Sequence, residues 1–163
     1  MKHLTLIRHA KSSWKDQDLS DFERPLNKRG LESAPLMGER LATRRFQPDM
    51  LITSPARRAL STAQIISRKI AFPIEQLMLE PRIYEAGVDT LTHIVRTLDD
   101  NWQHVVLVGH NPGFTDLANW MLNVNIDNIP TCGVLEAVLD IESWAQADRK
   151  TGRLLNFDYP RHG

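Results

Sequence analysis

The sequence contains little cysteine and no surplus of either charge, and each shortage excludes a class of protein. The single cysteine, Cys132, cannot form a disulfide within the chain, and no histidine stands at metal-ligand spacing around it. Lys and Arg together number 20, as do Asp and Glu, so the chain lacks the positive surplus with which proteins hold polyanions. We therefore expect no disulfide framework, no metal site and no nucleic-acid partner.

Long hydrophobic runs are also missing. The first apolar run, from Leu4 to Ile7, stops at Arg8 and His9, which makes it too short for a secretion signal or a membrane span. Hydrophobic residues make up 42% of the 163-residue chain and charged residues 25%, as in an ordinary globular protein. We expect a cytoplasmic protein with no membrane partner, folded as a single domain over residues 1–163.

Short apolar runs alternate with helical patterns along the chain. Buried strands are predicted at Leu4–Ile7, Met50–Thr53 and Val105–Val108, and helices at about 28–44, 57–70, 89–99 and 113–123. Residues 133–140 and 153–159 predict two later strands that pair in antiparallel fashion. The alternation of strand and helix predicts an α/β fold.

Cationic side chains follow the first three predicted strands at the point where each strand ends. Arg8 and His9 follow the first strand, Arg57 and Arg58 come shortly after the second, and His110 follows the third. Because the carboxyl ends of parallel strands form the ligand crevice of such sheets, we expect these residues to meet there. Guanidinium groups and helix N-termini both suit phosphoryl oxygens, so the set predicts a phosphate pocket.

His9 is the residue that we expect to react. It directly follows a buried strand, which holds it rigidly, and a nearby backbone carbonyl could fix the tautomer of its ring. A neutral imidazole can attack phosphorus, and covalent transfer divides one difficult displacement into two easier ones. Arg8, Arg57 and His110 would then hold the charge of the transition state. Arg58 neighbours Arg57 at the start of a helix and is expected to point elsewhere.

Four further residues are candidates for supporting roles. Ser12 could donate a hydrogen bond to a phosphoryl oxygen, with a loop or capping role as the alternative. Arg24 could reach the phosphate rim or bind an acidic substrate surface, or form a loop salt bridge. Glu85 is the carboxylate best placed to protonate a leaving group, a role that matters little if the leaving group is an imidazole. Trp14 lies close enough in sequence to line the site.

Four stretches of the chain, taken together, resemble the histidine phosphatase superfamily and, within it, the short SixA-type phosphohistidine phosphatases. They are LIRHAKSSW with Arg8, His9 and Ser12, DFERPLNKRG with Arg24, TSPARRALSTA with Arg57, and VLVGHNPG with His110. The resemblance covers nearly the whole chain. One departure is Ala10, which stands where most members of the superfamily carry glycine.

The resemblance implies a phosphoglycerate mutase-like fold, a three-layer α/β/α sandwich with a mostly parallel central sheet. It also implies a phosphohistidine intermediate at His9, a phosphate pocket formed by Arg8, Arg57 and His110, and hydrolysis without a metal or an organic cofactor. A chain of 163 residues leaves little for a lid, which favours a phosphorylated protein as the substrate. Phosphohistidine on a histidine phosphotransfer domain or on a sugar-transport phosphocarrier fits this description.

Two other functions remain open at this point. The first is a phosphomonoesterase that acts on a small phosphorylated metabolite such as a sugar phosphate. The second is a non-catalytic phosphate-binding module that keeps the pocket but, because of Ala10, lacks turnover.

Overall fold

A six-stranded mixed sheet lies at the centre of the molecule. The structure, a computed structural model, describes residues 1–161, so the last two residues of the predicted domain lie outside the described residues. The strands are β1 (Lys2–Arg8), β2 (Met50–Thr53), β3 (Met78–Leu79), β4 (His104–Gly109), β5 (Val134–Leu139) and β6 (Gly152–Asp158). Their order across the sheet is β3-β2-β4-β1-β5-β6. Among the strands of residues 1–161, only the pairs β1–β5 and β5–β6 are antiparallel, which confirms the predicted mostly parallel sheet.

Helices cover both faces of this sheet. They are α1 (Lys28–Thr43), α2 (Arg57–Lys69), α3 (Val88–Arg96) and α4 (Gly113–Met121). One hydrophobic core packs α1 and α2 against one face, and a second core packs α3 and α4 against the other. The predicted three-layer α/β/α sandwich is therefore confirmed. Over the part of the chain that the structure describes, no helix combines the length and the apolar character that crossing a membrane requires.

Strand β4 shows why the sequence folds into three layers. Val105 and Leu107 contribute to the core beneath α3 and α4, whereas Val106 and Val108 contribute to the core beneath α1 and α2. A continuous apolar run is typical of a strand buried on both faces, because successive side chains point in opposite directions. Burial of each such side chain contributes roughly 1.5–3 kcal/mol, so β4 anchors both helical layers at once.

The two later strands also match the sequence pattern, whereas one short strand does not. Strands β5 and β6 pair in antiparallel fashion, as predicted for residues 133–140 and 153–159. Strand β3 has no counterpart in the predictions. Its two residues, Met78 and Leu79, are both exposed at the sheet edge. Two exposed residues do not produce the alternation of apolar and polar positions from which a strand is predicted.

Parallel pairing at the sheet centre brings the predicted reactive residues to one edge. Arg8 at the end of β1 pairs with Gly109 at the end of β4, and the amide of His9 donates to the carbonyl of Gly109 at 2.9 Å. Thr53 at the end of β2 pairs with Val108 on the other side of β4. The chain segments that follow β1, β2 and β4 therefore leave the sheet side by side.

Helix α1 begins at a close approach between two backbone segments, which generates a stability prediction. The side chain of Asn27 caps the helix by accepting from the amide of Gly30 at 2.9 Å, and the amide of Asn27 donates to the carbonyl of Lys11 at 2.9 Å. A Cβ added to Gly30 would run into that same carbonyl oxygen. Gly30 is thus the residue that lets the start of α1 approach the loop after β1.

We expect Gly30→Ala to lower the free energy of unfolding by about 1–3 kcal/mol, because the added methyl group pushes two backbone segments apart. Alanine would otherwise favour a helix by about 1 kcal/mol. Urea unfolding measures the change, and Gly87→Ala is the matched control, since nothing lies within 4 Å of a Cβ added there. A Gly30→Ala protein as stable as the parent protein would contradict this account of the close approach.

Candidate active site

A cavity of about 350 Å³ opens at the carboxyl ends of the central strands. Its lining residues are Arg8, His9, Lys11, Ser12, Trp14, Arg24, Arg58, His110, Asn111 and Thr131. An adjoining cavity of about 440 Å³ shares Arg58, His110 and Asn111 with it. The adjoining cavity is also lined by Asp21, Tyr84 and Glu85. We call the first the His9 cavity and the second the Glu85 cavity.

The ring of His9 is held in one orientation and one tautomer. Its Nδ1 lies 2.8 Å from the carbonyl oxygen of Ala10, which accepts hydrogen bonds only, so Nδ1 carries the proton. Its Nε2 accepts a long hydrogen bond, 3.4 Å, from Nε of Arg58. The lone pair of the imidazole is therefore on Nε2, among the guanidinium groups.

His9 is neutral over the physiological pH range. Burial of the ring is the main reason that its pKa falls to about 4, and the nearby charges of Arg58, Arg8 and Arg24 lower it further. The hydrogen bond to Ala10 opposes this shift. A neutral ring with its lone pair on Nε2 is the form of histidine that can attack an electrophile.

The backbone at His9 and Ala10 is hydrogen-bonded to two further segments of the chain. The amide of Ala10 donates to Oγ1 of Thr62 at 2.9 Å, and the carbonyl of His9 accepts from the amide of Cys132 at 3.0 Å. The methyl group of Ala10 is fully buried in the core that packs α1 and α2. Alanine in place of the usual glycine is thus accommodated by the core and leaves the ring of His9 in the cavity.

Arg58, rather than Arg57, lies against His9, so the prediction that placed Arg57 in the pocket is corrected. Arg57 is exposed at the first position of α2, whereas Arg58 is only 6% exposed. The reason is helical phase: Arg58 shares a face with Thr62 and Ile66, four and eight residues further along, and this is the buried face of α2. The spacing of small and apolar residues after Arg58 is the sequence signal that identifies it.

His110 stands beside His9 with one ring nitrogen bound and the other unpaired. The two ring centroids are 5.2 Å apart, and Nε2 of His110 lies 2.8 Å from Oγ of Ser54. That oxygen already accepts from the amide of Ala56 at 3.2 Å, so its hydroxyl hydrogen is free to donate to His110. Burial, followed by the proximity of His9, lowers the pKa of His110 to about 3.

Two buried hydrogen-bond donors belong to residues that line the His9 cavity. Nδ1 of His110 and Nε of Arg8 are both buried without a hydrogen-bond partner among the described residues. Arg8 is anchored through its Nη1, which donates to the carbonyl of Ile129 at 2.9 Å. A buried donor without a partner costs about 1–3 kcal/mol, a cost that a bound oxyanion would remove.

Arg24 and Ser12 line the His9 cavity next to each other. Nη1 of Arg24 donates to Oγ of Ser12 at 2.6 Å, and the guanidinium carbon lies 3.4 Å from the ring centroid of Trp14. Arg24 is only 7% exposed, whereas Trp14 is 73% exposed. The structure therefore brings Ser12, Arg24 and Trp14 to the cavity, with Trp14 outermost.

Asp21 binds both Arg24 and Arg58, and the sequence analysis missed it. Its carboxylate accepts from Nε of Arg24 at 3.1 Å, from Nη2 of Arg58 at 3.0 Å and from the hydroxyl of Tyr84 at 2.6 Å. Partial burial would raise the pKa of Asp21, but these donors and the charge of Arg58 outweigh it and lower the pKa to about 2. Asp21 is thus a permanent anion that holds two guanidinium groups in place. Nothing in the stretch DFERP marks Asp21, since its partners lie far apart in sequence.

Glu85 occupies the neighbouring cavity rather than that of His9. It is exposed, and its backbone has a positive φ of 60° at the turn before α3. It forms no hydrogen bond or ion pair with the residues that the structure describes. Its assignment as a proton donor stays a prediction.

Within residues 1–161, no group of three His, Cys, Asp or Glu side chains is arranged to hold a metal ion.

The position of Arg58 generates a prediction in which the adjacent arginine is the control. We expect Arg58→Ala to lower the kcat of phosphate release by about 10²–10³, the range for loss of one charge-stabilising donor. Arg57→Ala should leave kcat close to that of the parent protein, because Arg57 is exposed. Steady-state kinetics with an aryl phosphate measures both. Equal losses in the two variants, or a larger loss for Arg57→Ala, would contradict the assignment.

The protonation state of His9 generates a second prediction. In nitrogen NMR spectra at about pH 5.5, we expect Nδ1 of His9 to be protonated and Nε2 to be unprotonated, because burial keeps the pKa near 4. Histidine in the urea-unfolded protein takes up its proton near pH 6.5. Unfolded chains therefore bind protons first as the pH falls, and the free energy of unfolding should decline from about pH 6.5 to pH 4. Titration of His9 near 6.5 in the folded protein would contradict the account.

Comparison with known proteins agrees with this arrangement. Residues 4–97 match the sequence profile of the histidine phosphatase superfamily, branch 1. An uncharacterised protein of Mycobacterium tuberculosis is 29% identical over 166 residues, an alignment that covers 95% of this chain and 100% of that protein.

Solved structures show the same fold. A protein of Agrobacterium tumefaciens assigned as the phosphohistidine phosphatase SixA has a TM-score of 0.80 and 27% identity, with 98% of this chain and 99% of that chain covered. The protein histidine phosphatase SixA complexed with tungstate has a TM-score of 0.83 and 18% identity, with 97% of each chain covered. The phosphoglycerate mutase-like fold and the SixA-type likeness are thus confirmed. The chain belongs to the histidine phosphatase superfamily.

Proposed function

We propose that this protein is a phosphatase that removes the phosphoryl group from phosphohistidine on another protein, through a covalent intermediate on His9. The observation that carries the proposal is the lone pair on Nε2 of a neutral His9, placed in a cavity walled by three arginines. None of the described residues that line this cavity is a carboxylate. The cavity therefore suits an anionic group that needs a nucleophile and no nearby acid.

The reaction has two displacements at phosphorus. In the first, the lone pair of Nε2 forms a bond to phosphorus while the bond from phosphorus to the substrate imidazole breaks, and its electron pair stays on that imidazole. In the second, a water oxygen forms a bond to phosphorus, the bond to Nε2 breaks, and its electron pair returns to the ring of His9. The water gives up one proton to the solvent, and inorganic phosphate leaves.

Charge that develops on the phosphoryl oxygens would be held by donors already fixed in the cavity. Arg8 and His110 each offer a buried donor that has no partner among the described residues. Arg58 and Arg24 are oriented by the carboxylate of Asp21, so their guanidinium groups need no rearrangement when substrate arrives. Preorganised donors of this kind often supply the largest single contribution to catalysis.

The absence of a carboxylate in the lining of the His9 cavity favours phosphohistidine over a phosphate ester. An alkoxide leaving group needs a proton, and general acids contribute about 10²–10⁴-fold to such steps. Asp21, with its pKa near 2, is ionised and cannot supply one. Phosphohistidine needs no such donor, because a ring protonated on its other nitrogen leaves as neutral imidazole.

A small-molecule phosphomonoesterase is the second candidate, and Glu85 is the observation that favours it. The cavity that Glu85 lines adjoins the His9 cavity through Arg58 and His110. An ester oxygen that projects from the His9 cavity toward Glu85 could take a proton from that side chain. The two candidates therefore differ in how strongly each depends on Glu85.

The experiment compares parent protein and Glu85→Gln on two substrates, a histidine-phosphorylated phosphotransfer domain and a sugar phosphate. We expect the parent protein to cleave the phosphohistidine protein with the higher kcat/KM, and Glu85→Gln to leave that value unchanged. Faster cleavage of the sugar phosphate, with a loss of about 10²-fold or more in Glu85→Gln, would replace this proposal by the second candidate. Phosphate binding without turnover of either substrate would indicate a non-catalytic module.

A further inference from the structure

Three cavities that meet at Lys11 form a continuous basic surface beside the active site. Besides the His9 cavity, these are one of about 820 Å³ that reaches from Trp14 to Arg29 and one of about 330 Å³ between Arg29 and Tyr159. Lys11, Lys15, Lys28 and Arg29 line the two outer cavities, and all four are exposed. We call these four residues the basic rim.

Among the described residues, no acidic side chain lines the three cavities that the basic rim borders. None of the four rim cations forms an ion pair within residues 1–161. The chain as a whole carries equal numbers of acidic and basic residues, so this local excess of positive charge is a matter of placement. Asp16 and Asp18 lie in the loop after Lys15 but do not line these cavities.

Two of the rim cations, Lys28 and Arg29, lie at the N-terminus of α1, where positive charge is unfavourable. Lys28 and Arg29 occupy the first turn of α1, which contains no acidic residue. The N-terminus of a helix carries partial positive charge, so cations in its first turn lower the stability of the helix. The side chains and the helix N-terminus thus add their positive potentials on the side that faces the active site.

An exposed aromatic residue, Trp14, lies between the basic rim and the His9 cavity. Trp14 lines both the His9 cavity and the cavity of about 820 Å³, and it is 73% exposed. Its ring is stacked on the guanidinium group of Arg24, which restricts its orientation before any partner binds. Tryptophan and arginine are the residues most enriched at the energetic centres of protein interfaces.

We propose that the basic rim and Trp14 form a docking surface for an acidic protein that carries the phosphorylated residue. This inference rests on the proposed function and deepens it by naming the chemistry of the partner. The surface extends over two cavities outside the one that takes the phosphoryl group, which is more than a compact monoester would cover. Acidic side chains around the phosphorylated residue would meet Lys15, Lys28 and Arg29 while Trp14 packs against the partner. Rim charges of this kind act mainly by steering association.

The test uses two synthetic peptides that each contain one histidine, phosphorylated with phosphoramidate. In the first peptide the histidine is flanked by glutamates, and in the second by glutamines, so the two differ in charge and hardly in shape. We expect the parent protein to cleave the glutamate peptide with a kcat/KM about tenfold higher than that of the glutamine peptide at low salt. This advantage should shrink as the salt concentration rises.

Lys15→Glu/Lys28→Glu should remove that advantage and leave hydrolysis of a small aryl phosphate unchanged, since neither lysine lines the His9 cavity. The matched control is Arg149→Glu/Arg153→Glu, which makes the same change in net charge. Both arginines are exposed, and they lie in the turn before β6 and at its start, away from the carboxyl ends of β1 and β4. The control should keep the preference for the glutamate peptide.

The outcomes separate the docking surface from the catalytic proposal. Equal kcat/KM for both peptides, or a preference that survives in Lys15→Glu/Lys28→Glu, would overturn the docking surface and leave phosphohistidine cleavage standing. If neither peptide is cleaved, the proposed function fails, and fluorescence anisotropy with the unphosphorylated peptides then tests docking by itself. The docking proposal requires tighter binding of the glutamate peptide, and equal binding would overturn it. A single-stranded oligonucleotide that displaces the glutamate peptide would also overturn it.

Discussion

The hydrogen bond from Nδ1 of His9 to the carbonyl oxygen of Ala10 decides which nitrogen of the ring can react. Because the bond fixes the proton on Nδ1, the lone pair lies on Nε2, on the side of Arg58. Burial reinforces this state, since a second proton on the ring would place a further charge among buried cations. The same crowding of cations that favours a bound anion therefore keeps His9, the proposed nucleophile, neutral.

Two of the arginine side chains around the His9 cavity are held in position by a carboxylate that lies outside the cavity. This carboxylate belongs to Asp21, which lines the neighbouring Glu85 cavity. It binds both Arg24 and Arg58 and accepts a hydrogen bond from the hydroxyl of Tyr84. A carboxylate inside the His9 cavity would repel a phosphoryl group, whereas one behind the guanidinium groups only fixes their positions. The proposed nucleophile and the arginines thus line the His9 cavity, while the carboxylate that orients Arg24 and Arg58 lies outside it.

The fold could be predicted from the sequence because β1, β2 and β4 are short apolar runs that are each followed by polar residues. Those endings also predicted that Arg8, His9 and His110 lie close together, and all three line one cavity, since the residue after a parallel strand has little freedom of position. The sequence predicted that Arg57 lies in the pocket and that Arg58 points elsewhere, because adjacent residues at a helix start diverge by about 100° and the buried side of α2 was assigned to the wrong one. The buried positions Thr62 and Ile66 put Arg58 on the inner face of α2. Asp21 could not be found at all, because its role depends on contacts with Arg58 and Tyr84 that only the folded chain creates.

The most direct test of the account is to trap the phosphorylated enzyme by rapid quench with labelled substrate and to locate the label by phosphorus NMR and mass spectrometry. The account predicts an acid-labile phosphoryl group on Nε2 of His9, which forms within one turnover and disappears as phosphate is released. A label on Nδ1 of His9, a label on any other residue, or turnover without a labelled enzyme would contradict it.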